Sequence, residues 1–176
     1  FERYVANNKE VHFSAGLHLT KPGVPIRSMS QGAEQVLDAS KAIDDKQKNA
    51  ITCFGQTMHW PEFNSLLIEA QWLENTKSTR DLSTGYVYGL LELSEMADKT
   101  NKQFPEKSIW RSYLSYRTFR NLFDKSKFSS NETAEERHER VKTESTDLVC
   151  KLANKFTIHG KGYHVPLYVH LYTHRD

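Results

Sequence analysis

SIWRSYLSYRTFRNLFDKSKF, residues 108–128, combines six aromatic rings with five Lys or Arg side chains in one short stretch. Pro105 and the spacing of the apolar residues that follow predict a helix from Pro105 to about Asp124. The aromatic residues spread around this helix instead of following one narrow stripe, and Arg117 and Arg120 lie among them. A helix that is apolar nearly all round packs on more than one side. The stretch is therefore predicted to lie in the middle of the fold.

The basic and aromatic side chains of this helix have two interpretations. In the first, the helix binds nucleic acid, RNA ahead of DNA, because guanidinium groups bind phosphates and aromatic rings stack on unpaired bases. In the second, it is a core helix whose arginines pair with acids from residues 92–98. The nucleic-acid contacts that the first interpretation predicts are Arg111, Tyr113, Tyr116, Arg117, Arg120 and Lys125.

Alternation of apolar and polar residues predicts strands at both ends of the chain. Residues 11–20, VHFSAGLHLT, alternate with a period of two, as a half-buried strand does. Residues 156–158 and 163–173 predict a C-terminal hairpin on similar grounds, and a further short strand is predicted over 50–58. Because each terminal strand needs its apolar face covered, the two ends are expected to pair in one antiparallel sheet.

Helix start signals predict the rest of the fold. Residues 28–31 and 133–136 have the pattern of capping boxes, and Pro61 marks another helix start. Residues 91–97, a short turn and the basic helix have the order of a helix-turn-helix-like element. The predicted fold is α+β, with a small antiparallel sheet from the N- and C-terminal strands and a helical middle, in a single domain over 1–176. A ferredoxin-like arrangement is compatible with this order.

Histidines on the polar faces of the predicted terminal strands suggest an alternative function. The chain has eight histidines. If the terminal strands share a sheet, His12 or His18 could act with His164 or His170 as acid and base on a phosphodiester. With a ribose 2′-hydroxyl as nucleophile, this alternative is a metal-independent endoribonuclease or phosphodiesterase.

Two short motifs resemble those of the two-histidine phosphoesterases. Residues 12–14, His-Phe-Ser, and 18–20, His-Leu-Thr, each fit the pattern His-x-Ser/Thr. That family takes one motif from each half of the chain. Here the second half has His-Val-Pro at 164–166 and His-Leu-Tyr at 170–172, without Ser or Thr at the third position, so the resemblance is confined to the first half of the chain.

Zinc binding is a weaker hypothesis for the same C-terminal segment. His170 and His174 would lie on one face of the predicted strand, with Asp176 beyond them. Zinc sites need three or four such ligands, and no HExxH or comparable spacing is present. Neither a metal nor a cofactor is therefore expected.

Composition and charge limit the remaining classes. The net charge is +2 and the mean hydropathy is −0.68, and no apolar run is long enough to span a bilayer, so no membrane association is expected. Cys53 and Cys150 belong to no CxxC pattern, which favours free thiols. No secretory leader is visible and a cytoplasmic protein is expected, although Phe1 in place of Met leaves the native terminus open. A third possible function is a protein–protein or coat-type subunit whose aromatic helix docks on another copy.

Overall fold

The computed structural model describes residues 3–6, 8, 10–43, 48–101, 105–127 and 132–174. Within these residues the chain is α+β with a helical middle, which confirms the predicted class. The chain forms two compact units, residues 1–67 and 68–176. The boundary falls inside a helix, and the single domain over 1–176 stays a prediction.

The first unit contains a parallel strand pair with a helical crossover, followed by a hairpin. Its elements are β1 (Ala15–Leu17), α1 (Ile26–Ala42), β2 (Ala50–Cys53), β3 (Gln56–His59) and the start of α2 (Trp60–Arg80). β1 runs parallel to β2, with Gly16 opposite Thr52. β2 and β3 are antiparallel, with Thr52 opposite Thr57, and together they replace the single strand predicted over 50–58. The sheet is therefore mixed, and the prediction of a purely antiparallel sheet is wrong.

A glycine allows α1 to lie close to the sheet. A Cβ atom on Gly16 would lie 2.6 Å from the backbone nitrogen of Leu37. This distance is too short for any side chain to fit unless the backbone of α1 moves. The strand predicted over 11–20 shortens to the three residues of β1. Just before β1, the carbonyl of Phe13 accepts a hydrogen bond from Nε1 of Trp60 at 3.0 Å. α1 itself begins at Ile26, so the capping box predicted at 28–31 is wrong.

Every element that the structure describes in the second unit, beyond the remainder of α2, is helical. The elements are α3 (Thr84–Asn101), a 3₁₀ helix (Pro105–Ile109), α4 (Trp110–Lys125), α5 (Ala134–His159), a second 3₁₀ helix (Gly160–Tyr163) and α6 (His164–Thr173). The helix predicted from Pro105 is thus confirmed as a 3₁₀ turn that leads into α4. The turn of the predicted helix-turn-helix-like element spans residues 100–104, of which the first two belong to α3 and the other three lie outside the described residues.

Local capping interactions fix the ends of α4 and α5. The capping box predicted at 133–136 is confirmed, since the backbone N–H of Glu136 donates to Oγ1 of Thr133 at 3.2 Å and Oε2 of Glu136 accepts from the Thr133 N–H at 2.8 Å. At the C-terminal end of α4, Nη2 of Arg137 donates to the carbonyls of Phe123 and Ser126 at 2.8 and 2.9 Å. Carbonyls in the last turn of a helix lack partners within it, so Arg137 ties α5 to this end of α4.

The aromatic core of the second unit decides which side of α4 is buried. Trp110 packs against Phe156, and Phe156 against Tyr163, with ring centroids 6.0 and 5.3 Å apart. All three side chains are almost wholly buried. The buried stripe of α4 is Trp110, Leu114, Thr118 and Leu122. The aromatic and apolar residues of this helix are therefore not packed on every side, since Ile109, Tyr113 and Tyr116 are exposed.

The predicted C-terminal hairpin is wrong. Residues 156–158 belong to α5, and residues 163–173 form the end of a 3₁₀ helix and α6. All residues from 163 to 167 are buried, so this segment is buried all round and its alternating pattern does not mark one face. Pro166 lies in the first turn of α6, where a missing N–H is tolerated. The terminal segments therefore do not pair as strands, and the ferredoxin-like arrangement is wrong.

Candidate functional site

An open groove with a volume of about 710 Å³ lies between α3 and α4. Binding sites for small ligands have volumes of roughly 300–1,000 Å³, so the groove has room for a nucleotide-sized group. Its lining includes aromatic and charged side chains from both helices: Tyr88, Glu92, Tyr116, Arg117, Arg120 and Asp124.

Two tyrosine rings of the groove are exposed to solvent. Tyr88 of α3 is 57% exposed and Tyr116 of α4 is 61% exposed. Tyr86, two residues before Tyr88 on α3, is buried, and its hydroxyl lies 2.7 Å from Oγ1 of Thr118. Burial raises the pKa of Tyr86, because the phenolate would lose its hydration there. Tyr86 therefore belongs to the core, whereas Tyr88 and Tyr116 are accessible from the groove.

Arg117 lies across the backbone of α3. Its Nη1 donates to the carbonyl of Gly89 at 3.1 Å, and its Nη2 donates to Oε2 of Glu92 at 3.2 Å. A Cβ atom on Gly89 would lie 3.0 Å from Nη1 of Arg117, so the absence of a side chain at Gly89 makes room for the guanidinium. The predicted pairing of an arginine with an acid from residues 92–98 is thus confirmed for Arg117.

Arg120 is held much more loosely than Arg117. Its side chain is 67% exposed, and its Nε lies 3.7 Å from Oδ2 of Asp124. Its Nη1 donates to the Tyr116 hydroxyl at 3.4 Å, a long hydrogen bond. Exposed ion pairs contribute about 0–1 kcal/mol, so the guanidinium of Arg120 can turn toward a ligand at little cost.

The other predicted contacts on α4 lie outside the groove lining. Arg111 precedes Arg120 by nine residues, or about two and a half helical turns, so it lies on the opposite side of α4, with its Cζ 5.2 Å from the Trp110 ring centroid. Nζ of Lys125 lies 3.6 Å from Oδ2 of Asp81. Tyr113 is about two turns before Arg120 and shares its side of the helix.

Sequence reasoning missed the contribution of α3 to the groove. Tyr88, Gly89 and Glu92 line it, and only the acid had been considered, as a partner for arginine. The signal available in the sequence was the pair of glycines at 85 and 89 inside a helical pattern. A glycine within a helix costs stability and usually has a packing reason.

The predicted catalytic histidines do not lie on one sheet. His12 and His18 flank β1 in the first unit, and His164 and His170 lie on α6 in the second. Because residues 163–173 are helical, the shared polar sheet face that suggested a catalytic pair is wrong. The endoribonuclease alternative loses the arrangement on which it depended.

His164 and His170 are both buried and both hydrogen-bonded. Nε2 of His164 donates to the carbonyl of Leu91 at 3.0 Å. Nδ1 of His170 lies 2.9 Å from Oε2 of Glu74. Burial lowers the pKa of each imidazole, because the charged form would lose its hydration. For His164, the Leu91 carbonyl opposes this lowering.

These buried histidines predict that acid destabilises the second unit near neutral pH. The unfolded chain binds protons with a histidine pKa of about 6.5, whereas the folded protein resists protonation of His164 and His170. The free energy of unfolding should be highest above that pKa and fall as the pH drops through it, by up to about 1.4 kcal/mol per pH unit for each histidine. Urea unfolding at several pH values between 7.5 and 5.5 measures this slope.

The His164→Gln variant should lose part of that pH dependence, and His138→Gln serves as a surface control that should keep it. Carboxylates with lowered pKa values, such as Glu95 and Asp147, change the free energy of unfolding only at lower pH, below about pH 4.5. A stability that stays constant from pH 7.5 to 5.5 would contradict the prediction.

No helix within the described residues has both the length and the apolar character needed to cross a membrane. Comparisons with protein-family models, with curated protein sequences and with solved structures give no significant match.

Proposed function

We propose that the second unit binds single-stranded nucleic acid, RNA ahead of DNA, in the groove between α3 and α4. The observation that carries this proposal is the pair of exposed rings, Tyr88 and Tyr116, beside the exposed guanidinium of Arg120 in one open groove. Aromatic side chains in such grooves stack on unpaired bases, and the contact is tolerant of sequence because every base has a π-face.

The charges of the groove favour bases over a long run of phosphates. Arg120 can bind a phosphate through two parallel N–H groups. Glu92 and Asp124 bring negative charge that repels further phosphates, but their carboxylates can accept hydrogen bonds from base amino groups such as cytosine N4. We therefore expect few phosphate contacts, a shallow salt dependence and binding to single strands in preference to duplexes.

The carboxylates of the groove favour RNA over DNA. A ribose 2′-hydroxyl can donate to Glu92 or Asp124, a contact that DNA lacks.

Cys53 and Cys150 are free thiols, which suits the reducing cytoplasm. Cys53 is buried, and its burial raises the pKa of the thiol to about 11, whereas Cys150 is exposed on α5.

Arg120→Gln is expected to flatten the salt dependence of binding to a single-stranded RNA oligomer. Loss of one phosphate contact should reduce the slope of log K against log salt by about 0.7 for a single strand. Fluorescence anisotropy at several salt concentrations, with DNA of the same sequence in parallel, measures this slope.

Arg111→Gln is the matched control, because it removes the same charge from the opposite side of α4. It should leave the slope unchanged. Equal slopes for the Arg120→Gln variant and the unaltered protein, or an equal loss in both variants, would contradict the groove as the binding site. The alternative in which α4 docks on another protein copy predicts instead a mass that rises with protein concentration and no binding of the oligomer.

A further inference from the structure

Three potential metal ligands lie close together in the second unit: Glu74 of α2, His170 of α6, and His174, which adjoins the end of α6. Oε2 of Glu74 lies 2.9 Å from Nδ1 of His170 and 2.6 Å from Nε2 of His174. The imidazole ring centroids are 4.7 Å apart, and one ligand atom from each of the three residues lies within 4.8 Å of the others. None of these residues lines the groove between α3 and α4.

The helical form of α6 creates this cluster. His170 and His174 are four residues apart, and residues with this spacing are neighbours on one face of a helix. In the predicted strand they would also have shared a face, but Glu74 could not have been identified as their partner, since it is about a hundred residues away in sequence. Folding of α6 against the core leaves the His170 side chain 2% exposed, with His174 and Glu74 each about one-third exposed.

We propose that Glu74, His170 and His174 bind a Zn²⁺ ion. Two imidazole nitrogens and one carboxylate oxygen form a ligand set that zinc uses, with a fourth position left to water. The partly exposed side chains of Glu74 and His174 leave that fourth position accessible to solvent.

The observed distances require side-chain movements of about 1–1.5 Å to admit the ion. Ligand atoms about 2.0–2.1 Å from a tetrahedral zinc lie roughly 3.3 Å from one another. Each contact with Glu74 therefore has to lengthen by less than about 1 Å, and the two imidazole nitrogens, which lie within 4.8 Å of each other, have to approach by up to about 1.5 Å. The side chains of Glu74 and His174, which are partly exposed, have the freedom for this movement, while buried His170 supplies a fixed ligand.

The bound ion would join α2 to α6 in addition to the apolar core. A ligand that binds the folded state alone stabilises it in proportion to the logarithm of its free concentration. Zinc should therefore raise the melting temperature, and this effect is independent of nucleic-acid binding. Failure of the groove proposal would leave the zinc proposal standing, and the reverse also holds.

The test uses the full chain without a histidine tag, freed of metal by a chelator and then titrated with Zn²⁺ by calorimetry. The expected result is one equivalent bound, with no comparable binding of Mg²⁺ or Ca²⁺. Titration with Co²⁺ should give the intense visible absorption of a tetrahedral site. Less than a small fraction of an equivalent of zinc, or preference for Mg²⁺ or Ca²⁺, would overturn the proposal.

His174→Gln separates a metal site from a hydrogen-bonded cluster. The Gln amide can still donate to Glu74, so the fold should persist, but it is a poor zinc ligand. Affinity should fall by more than the roughly 10–100-fold that is lost when a residue that only orients a ligand is removed, and the cobalt spectrum should be lost. His138→Gln, at an exposed histidine of α5, is the control and should bind as the unaltered protein does. Unchanged zinc affinity in His174→Gln would also overturn the proposal.

Discussion

Trp110→Ala is expected to lower the free energy of unfolding of the second unit by about 3–5 kcal/mol, the range for truncating a large aromatic core residue. Trp110 is only 2% exposed, and its ring packs on Phe156, which in turn packs on Tyr163. Removal of the indole leaves a cavity in this aromatic core, and the surrounding side chains can fill it only by repacking. Urea unfolding followed by circular dichroism measures the loss.

Tyr113→Ala, three residues further along the same helix, is the matched control. Tyr113 is 46% exposed, and surface substitutions usually change stability by no more than about 0.5 kcal/mol. A loss in Tyr113→Ala as large as that in Trp110→Ala would mean that the outer side of α4 is packed as well. Because Tyr113 shares its side of α4 with Arg120, the groove proposal would then lose the exposed guanidinium on which it depends.

Tyr116→Ala is expected to weaken binding of single-stranded RNA by about 1–3 kcal/mol, the cost of losing one base-stacking ring, or roughly 5- to 150-fold in Kd. The folded protein should lose little stability, since Tyr116 is largely exposed. Anisotropy titration with a labelled oligomer gives the affinity, and a melting curve of the same sample checks the fold.

Tyr116→Phe keeps the ring and removes the hydroxyl that accepts a hydrogen bond from Arg120. Because stacking depends on the ring, this variant should retain most of the affinity. If Phe and Ala weaken binding equally, the hydroxyl and not the ring makes the contact. If neither variant weakens it, Tyr116 is not part of the interface.

Local signals in the sequence were sufficient for several helices but not for the C-terminal segment. Pro105 and the Thr133–Glu136 capping box mark helix starts by interactions within one turn, which depend little on the rest of the fold. Residues 163–173 alternate like a strand, yet they are helical, and the first of them, 163–167, are all buried. The sequence of a short buried segment does not show whether its period is that of a strand or of a helix. Pro166 near its start was the available indication of a helix.

The groove could be predicted in part for a similar reason. Tyr116, Arg117 and Arg120 were identified from the composition of one helix. Which of its sides faces solvent depends on where α3 and α5 pack, and those contacts join residues distant in sequence. The acid that pairs with Arg117 could be anticipated from charge alone, whereas the role of Gly89 depends on the close approach of two helices.

The different environments of the two thiols have a practical consequence. A maleimide dye reacts with an accessible thiolate, so it should attach at Cys150 and spare the buried Cys53, whose raised pKa keeps it protonated at neutral pH. Without any engineered cysteine, the chain thus has one addressable position on α5. A fluorophore placed there would follow events in the second unit alone and leave the first unit unlabelled.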